Sequence, residues 1–262
     1  MKLSEFIKIS PYIILTHSIL VFPASSDPVF SENGIVVSTS RQASEAGIEI
    51  LKKGGNAVDA AVTVGFVLAV TSSSNGNIGG GGFMVAAMSD STIFTLDYRE
   101  KAPAAAHQDM YLDPDGNVVE GMSLYSRAAS GVPGSVDGLL KVLIDHGSGN
   151  ISRRQVLAPA IRLAEKGFSL SHYEATRLNN NQNLFERNEA AAEIFVREDE
   201  RLWRAGDRLV QIELASTLKR ISKYGKDGFY KGHIADLIVA EMKRGNGLIS
   251  YKDLENYSSV YR

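Results

Sequence analysis

Gly76-Asn77-Ile78-Gly79-Gly80-Gly81-Gly82-Phe83 is a glycine-rich turn, and Leu96-Asp97-Tyr98-Arg99-Glu100-Lys101-Ala102-Pro103 is the charge-dense step that follows it. From Ala60 to Ser89 there is no Lys, Arg, Asp or Glu. A buried charge must be paired or pay several kcal/mol of desolvation, so a long uncharged run implies a segment enclosed on all sides. Phe83 to Met88 and Thr92 to Tyr98 have the composition of two strands, and Ser89-Asp90-Ser91 between them suits a hairpin turn. That hairpin places Arg99 at a strand end, beside the exit of the glycine loop.

Upstream, Gly34-Ile35-Val36-Val37-Ser38 reads as a short buried strand. Thr39 and Gln42 have capping-box spacing, Ala43, Ala46, Ile50 and Leu51 repeat at helical spacing, and Gly54 stands where a helix stops. Asn56 can cap a second helix, and Ala57 to Val70 is apolar nearly all round, which predicts a central helix. Downstream, Asp113-Pro114-Asp115-Gly116 is a turn signal. Helical spacing covers Ser135 to Asp145, Arg153 to Glu165, Ile212 to Lys223 and Ile234 to Lys243, so the second half is mainly helical. Ile194 to Val196 and Arg201 to Trp203 suggest a small strand pair, and Ser258 to Arg262 the approach to a further strand.

At 262 residues, 44% hydrophobic and 22% charged, the chain can bury a full core as one large domain. Its 28 basic and 30 acidic residues leave a net charge of -2 without a basic cluster, which argues against nucleic acid as a partner. With no cysteine, thiolate catalysis, disulfides and cysteine-ligated metals are excluded. The five scattered histidines form no metal-ligand pattern, so no metal or cofactor is expected, and His107 and His172 read as surface residues. Residues 1–26 have the layout of a secretory signal: Lys2 and Lys8, an apolar stretch from Ile9 to Phe22, then Pro23-Ala24-Ser25-Ser26. The apolar part is shorter than the about 20 residues of a membrane span, so the expectation is an exported protein whose mature domain is 27–262.

Arg99 is the leading candidate for a functional side chain. A guanidinium presents a planar fork that fits a carboxylate with two parallel bonds, each contributing about 1.5 to 3 kcal/mol when sheltered. From the residues alone, a local ion pair with Asp97 or Glu100 remains open. The glycine run fits no phosphate-binding spacing and reads as close backbone packing. Ser72-Ser73-Ser74 has no nearby base, which speaks against a serine nucleophile. Asn150-Ile151-Ser152 and Asn256-Tyr257-Ser258 match the glycosylation sequon, a common chance pattern.

The same residues carry a resemblance. Asn56-Ala57-Val58-Asp59-Ala60-Ala61, the Gly76–Phe83 and Leu96–Pro103 stretches, Gly131-Val132-Pro133-Gly134-Ser135-Val136 and Phe229-Tyr230-Lys231-Gly232 resemble, in order, the large subunit of gamma-glutamyltransferases. The resemblance implies an α+β protein of the N-terminal-nucleophile hydrolase fold, αββα in the complete protein and incomplete here. It implies transfer or hydrolysis of the γ-glutamyl group of glutathione or related amides through a Thr ester, with self-cleavage of a precursor. It makes Arg99 the ligand of the α-carboxylate. The family's nucleophilic Thr and oxyanion glycines have no counterpart here, so no catalytic residue is assigned to this chain. Those parts are expected from a small subunit or a C-terminal segment of the same precursor. Two other readings stay open: an acylase of the same fold, and a non-catalytic fragment that acts only in assembly.

Overall fold

The computed structural model describes residues 28–197, 199 and 201–262. The expected secretory signal over 1–26 lies outside them. Within the compact unit Val36–Arg262, helix α1 (Arg41–Lys52) is followed by α2 (Ala57–Thr71), the hairpin β1 (Phe83–Ala87) and β2 (Ile93–Asp97), and the one-turn α3 (Met122–Tyr125). Then come α4 (Ser135–His146), α5 (Arg153–Lys166), β3 (Phe168–Ser169), α6 (His172–Asn180), α7 (Gln182–Phe185) and α8 (Glu189–Phe195). Strand β4 (Arg208–Leu209), α9 (Ile212–Tyr224), α10 (Asp227–Tyr230), α11 (His233–Arg244), α12 (Tyr251–Asn256) and β5 (Val260–Tyr261) complete the order. No helix among the described residues is long and apolar enough to cross a membrane.

Helix α2 is central, packed against α1, α4 and α5. Val62, Phe66, Val67 and Val70 are wholly buried on it, as a helix without charge beyond its first turn requires. Its start is a capping box. The Asn56 side chain accepts from the amides of Val58 and Asp59, and Asp59 Oδ2 accepts from Asn56 N at 2.9 Å. The cap of α1 is Ser40 and not Thr39, because Ser40 has the extended backbone and its hydroxyl receives the Ala43 amide. One-residue errors of this kind are built into reading caps from spacing alone.

Strands β1, β2 and β5 form one antiparallel sheet in the order β1-β2-β5, with Phe83 opposite Asp97 and Asp97 opposite Val260. Because side chains alternate across a strand, the sheet has two distinct faces. Leu96, Phe94 and Tyr261 face inward: Leu96 is buried, and the Phe94 ring stacks 4.0 Å from that of His146 at the end of α4. Phe83, Val85, Ile93 and Val260 face the other way and are 60%, 76%, 73% and 43% exposed. The hairpin and the terminal strand therefore stand as the sequence predicts.

Two strand expectations fail. Residues 34–38 form no strand, and Val37 is 85% exposed, since their backbone groups find no ladder partner among the described residues. Residues 194–196 do not pair with 201–203. Asn188 instead caps the alanine-rich α8, and the small ladder joins β3 to β4. Trp203 is held without a ladder: its indole donates to the Phe195 carbonyl at 2.7 Å, and Asn179 receives its amide at 2.9 Å. Helices α6 and α12, each begun by a capping box, at Ser171/Glu174 and Ser250/Asp253, have no sequence-based forecast.

Candidate functional site

The site is built around the end of β2. The ladder runs one residue past the hairpin strands, with Tyr98 N donating to Gly82 O at 3.0 Å and Gly82 N to Tyr98 O at 3.3 Å. It resumes at Lys101, bridged to Val132. Arg99 and Glu100 occupy the gap between the two ladders, so their peptide groups must find other partners.

Glycines allow the close passage of backbone here. A Cβ at Gly81 would lie 2.8 Å from Arg99 Cα and 2.7 Å from Glu100 N, closer than real side chains come. At Gly134 it would overlap both the Tyr98 carbonyl and the Tyr257 hydroxyl. Gly80 O accepts the first amides of α4, from Gly134 at 2.7 Å and Ser135 at 2.9 Å. The glycine run thus packs backbone on backbone, as its spacing predicts. The ring of Tyr98 lies between Gly82 and Gly138, and burial pushes its hydroxyl above the usual tyrosine pKa.

Arg99 itself is exposed. Among the described residues no carboxylate comes within ion-pair distance of its guanidinium. Asp97, the expected local partner, is engaged elsewhere: its Oδ1 accepts Arg99 N at 3.1 Å and its Oδ2 meets Arg262 Nε at 2.8 Å. The Arg99 amide and the Arg262 guanidinium hold that carboxyl below the ordinary range. On the other side of Arg99, its carbonyl accepts the Tyr257 hydroxyl at 2.8 Å. Both peptide groups of Arg99 are therefore fixed by side chains while its guanidinium is left for solvent or ligand.

Beside the glycine loop lies a cavity of 230 Å³ lined by Asn77, Gly80, Gly81, Tyr98, Glu100 and Ser135. A more apolar cavity of 280 Å³ between Ser72, Phe168, Leu178 and Phe185 shares no residue with the loop or with Arg99. A third, of 470 Å³, lies along α4 by Asp137, Asp145 and Lys226. Of these three only the first is lined by the residues on either side of Arg99, Tyr98 and Glu100, and for that reason it is the one assigned to the site. His107 and His172 are exposed, and among the described residues no three His, Asp or Glu side chains converge as metal ligands would.

Sequence reasoning singles out Arg99 and misses its supports. In the sequence Tyr257 reads as part of a sequon, Asp97 as a rival partner within the Leu96–Pro103 stretch, and Arg262 as part of a terminal strand. Tyr257 comes to Arg99 through tertiary folding, and no local signal marks that meeting.

The family model for Gamma-glutamyltranspeptidase matches residues 43–262. A glutathione hydrolase proenzyme of Pseudomonas sp. (strain A14) is 46% identical over 239 residues, 91% of this chain and 41% of that protein. The glutathione hydrolase proenzyme of Escherichia coli (strain K12) is 43% identical over 236 residues, 90% of this chain and 40% of that protein. The crystal structure of Helicobacter pylori gamma-glutamyltranspeptidase superposes with a TM-score of 0.86 at 39% identity, covering 90% of this chain and 67% of that one. The chain thus spans about two fifths of the length of these curated relatives.

Proposed function

Since the chain belongs to the gamma-glutamyltranspeptidase family and has its N-terminal-nucleophile hydrolase fold, we propose that it is the α-carboxylate-binding part of an enzyme that removes the γ-glutamyl group from glutathione and related amides. In that reaction a Thr hydroxyl attacks the γ-amide carbonyl, the C–N bond breaks, and the amine leaves with a proton. Water or an acceptor amine then takes the acyl group from the Thr ester. The Thr and its oxyanion donors are supplied by the rest of the precursor.

The observation that carries this reading is the free guanidinium of Arg99 above an immobilised main chain. A planar fork fits a carboxylate, and a fixed root lowers the entropy lost on binding. The exposed apolar sheet face of Phe83, Val85, Ile93 and Val260 supports the partner segment, because a second sheet stacked there buries it and completes an αββα sandwich. The signal-like residues 1–26 support export before assembly.

The test is Arg99→Lys in the complete processed enzyme, assayed with γ-glutamyl-p-nitroanilide. Charge is retained and the fork is lost, so KM rises about tenfold with self-cleavage intact. An unchanged KM sinks the assignment.

A further inference from the structure

The exposed guanidinium of Arg99 contrasts with its tightly bound backbone. Its N–H is held by Asp97, whose other oxygen is anchored by Arg262 at 2.8 Å, and its C=O by Tyr257 at 2.8 Å. These two side chains replace the ladder bonds that stop at Tyr98 and resume at Lys101.

Tyr257 is built for this contact. It is 2% exposed, its ring stacks on that of Tyr230 with centroids 5.9 Å apart, and Lys101 Nζ sits 5.1 Å over its face. Lys226 donates to its carbonyl. Gly134 leaves the space through which the hydroxyl reaches Arg99. Burial, with the carboxylates of Asp137, Asp97 and Glu100 nearby, raises the hydroxyl's pKa, so the group is a permanent donor.

We infer that Tyr257 and Asp97 are positioning residues that clamp the main chain of Arg99 from both sides and thereby aim its guanidinium at the donor's α-carboxylate. The inference rests on the reading of Arg99 as the carboxylate ligand. The clamp acts through Arg99 and touches no reacting atom. It is felt only by substrates that carry the carboxylate.

The experiment compares Tyr257→Phe, Asp97→Ala, Arg99→Lys and the Tyr257→Phe/Arg99→Lys pair in the complete processed enzyme. Donors are γ-glutamyl-p-nitroanilide and its analogue lacking the α-carboxylate, 4-aminobutyryl-p-nitroanilide. Tyr257→Phe raises KM for the first about fivefold with kcat little changed, and leaves the second donor unaffected. Added to Arg99→Lys, it changes KM by less than about twofold, since residues acting through one another are non-additive.

Equal losses on both donors, or independent multiplication of the two effects, overturn the clamp and return Tyr257 to a purely structural role. If Arg99→Lys raises KM while Tyr257→Phe and Asp97→Ala do not, the clamp fails and the carboxylate assignment stands. If Arg99→Lys leaves KM unchanged, both fail. Should Tyr257→Phe not self-cleave, Asp97→Ala, which removes the acceptor of the Arg99 amide, decides: a KM-only loss confined to the first donor supports the clamp, and an unchanged KM overturns it.

Discussion

Asp137 Oδ1 lies 2.6 Å from Lys226 Nζ, joining α4 to the start of α10, while its Oδ2 receives both the amide and the hydroxyl of Ser259 at 2.7 Å. One carboxylate, 7% exposed, thus ties three parts of the chain together. It also fixes the segment that carries Tyr257 toward Arg99. The stability of the fold and the geometry of the site meet at this group.

Asp137→Ala leaves the Ser259 amide and hydroxyl without their acceptor, and the Lys226 ammonium with the Tyr257 carbonyl but no counter-charge. Lys226 is 37% exposed, so water relieves part of the loss, and a destabilisation of about 2 to 3 kcal/mol is expected. Urea unfolding of the chain measures it. A midpoint equal to the parent's contradicts the tie.

Asn56 caps α2 through two amides and also donates to the His146 carbonyl at 2.8 Å. Asn56→Ala removes the cap and the link to α4 together, for a cost of about 2 kcal/mol. Asn56→Asp keeps the cap and loses only the donor, so it falls between the two in thermal unfolding.

Gly134→Ala forces a Cβ into the Tyr98 carbonyl and the Tyr257 hydroxyl. Neither is the far end of a flexible chain that can swing aside at no cost, and a loss above about 3 kcal/mol is expected. A folded Gly134→Ala protein of parental stability shows that the passage is wider than described.

Asp97, Asp113 and Asp207 are all held below their ordinary pKa, each first by a backbone amide: those of Arg99, Asn117 and Arg204. A carboxyl with a depressed folded pKa contributes stability above its unfolded value of 3.8, and that stability is lost as pH falls through the folded value. Stability at pH 5 to 7 is therefore insensitive to these groups, and it declines below about pH 4. Asp97→Asn flattens part of that decline in unfolding midpoints taken between pH 2 and 7.

Val85→Lys places a charge on the exposed sheet face. The chain's own unfolding midpoint shifts by no more than about 0.5 kcal/mol, since the side chain is 76% exposed. Self-cleavage of the complete precursor falls sharply if a second sheet covers that face. Normal processing of Val85→Lys shows the face to be uncovered.

The hairpin, the central helix, the glycine packing and the main helices of the second half were legible because each follows from local period, caps or the absence of charge. The Asn56 cap is one example. Its side chain and the amides it serves lie within three residues, so spacing reveals them. The strand proposed at 34–38 failed because apolar residues form a strand only with a partner ladder, and a partner is not a local property. The helix over Glu189–Phe195 was missed because Ile194-Phe195-Val196 has strand composition, whereas Asn188 and the alanines before it decide the backbone.

The order of residues alone was enough to establish a buried helix, charge-free beyond its first turn, leading to a glycine turn, a hairpin, and one arginine at its end. It could not say whether that arginine was spent on its neighbours. Folding decided this by delivering Arg262 to Asp97 and Tyr257 to Arg99 from the far end of the chain. Local sequence encodes which conformations a segment prefers, but the partners of a side chain depend on which distant surfaces are buried together, and that is a property of the packed whole.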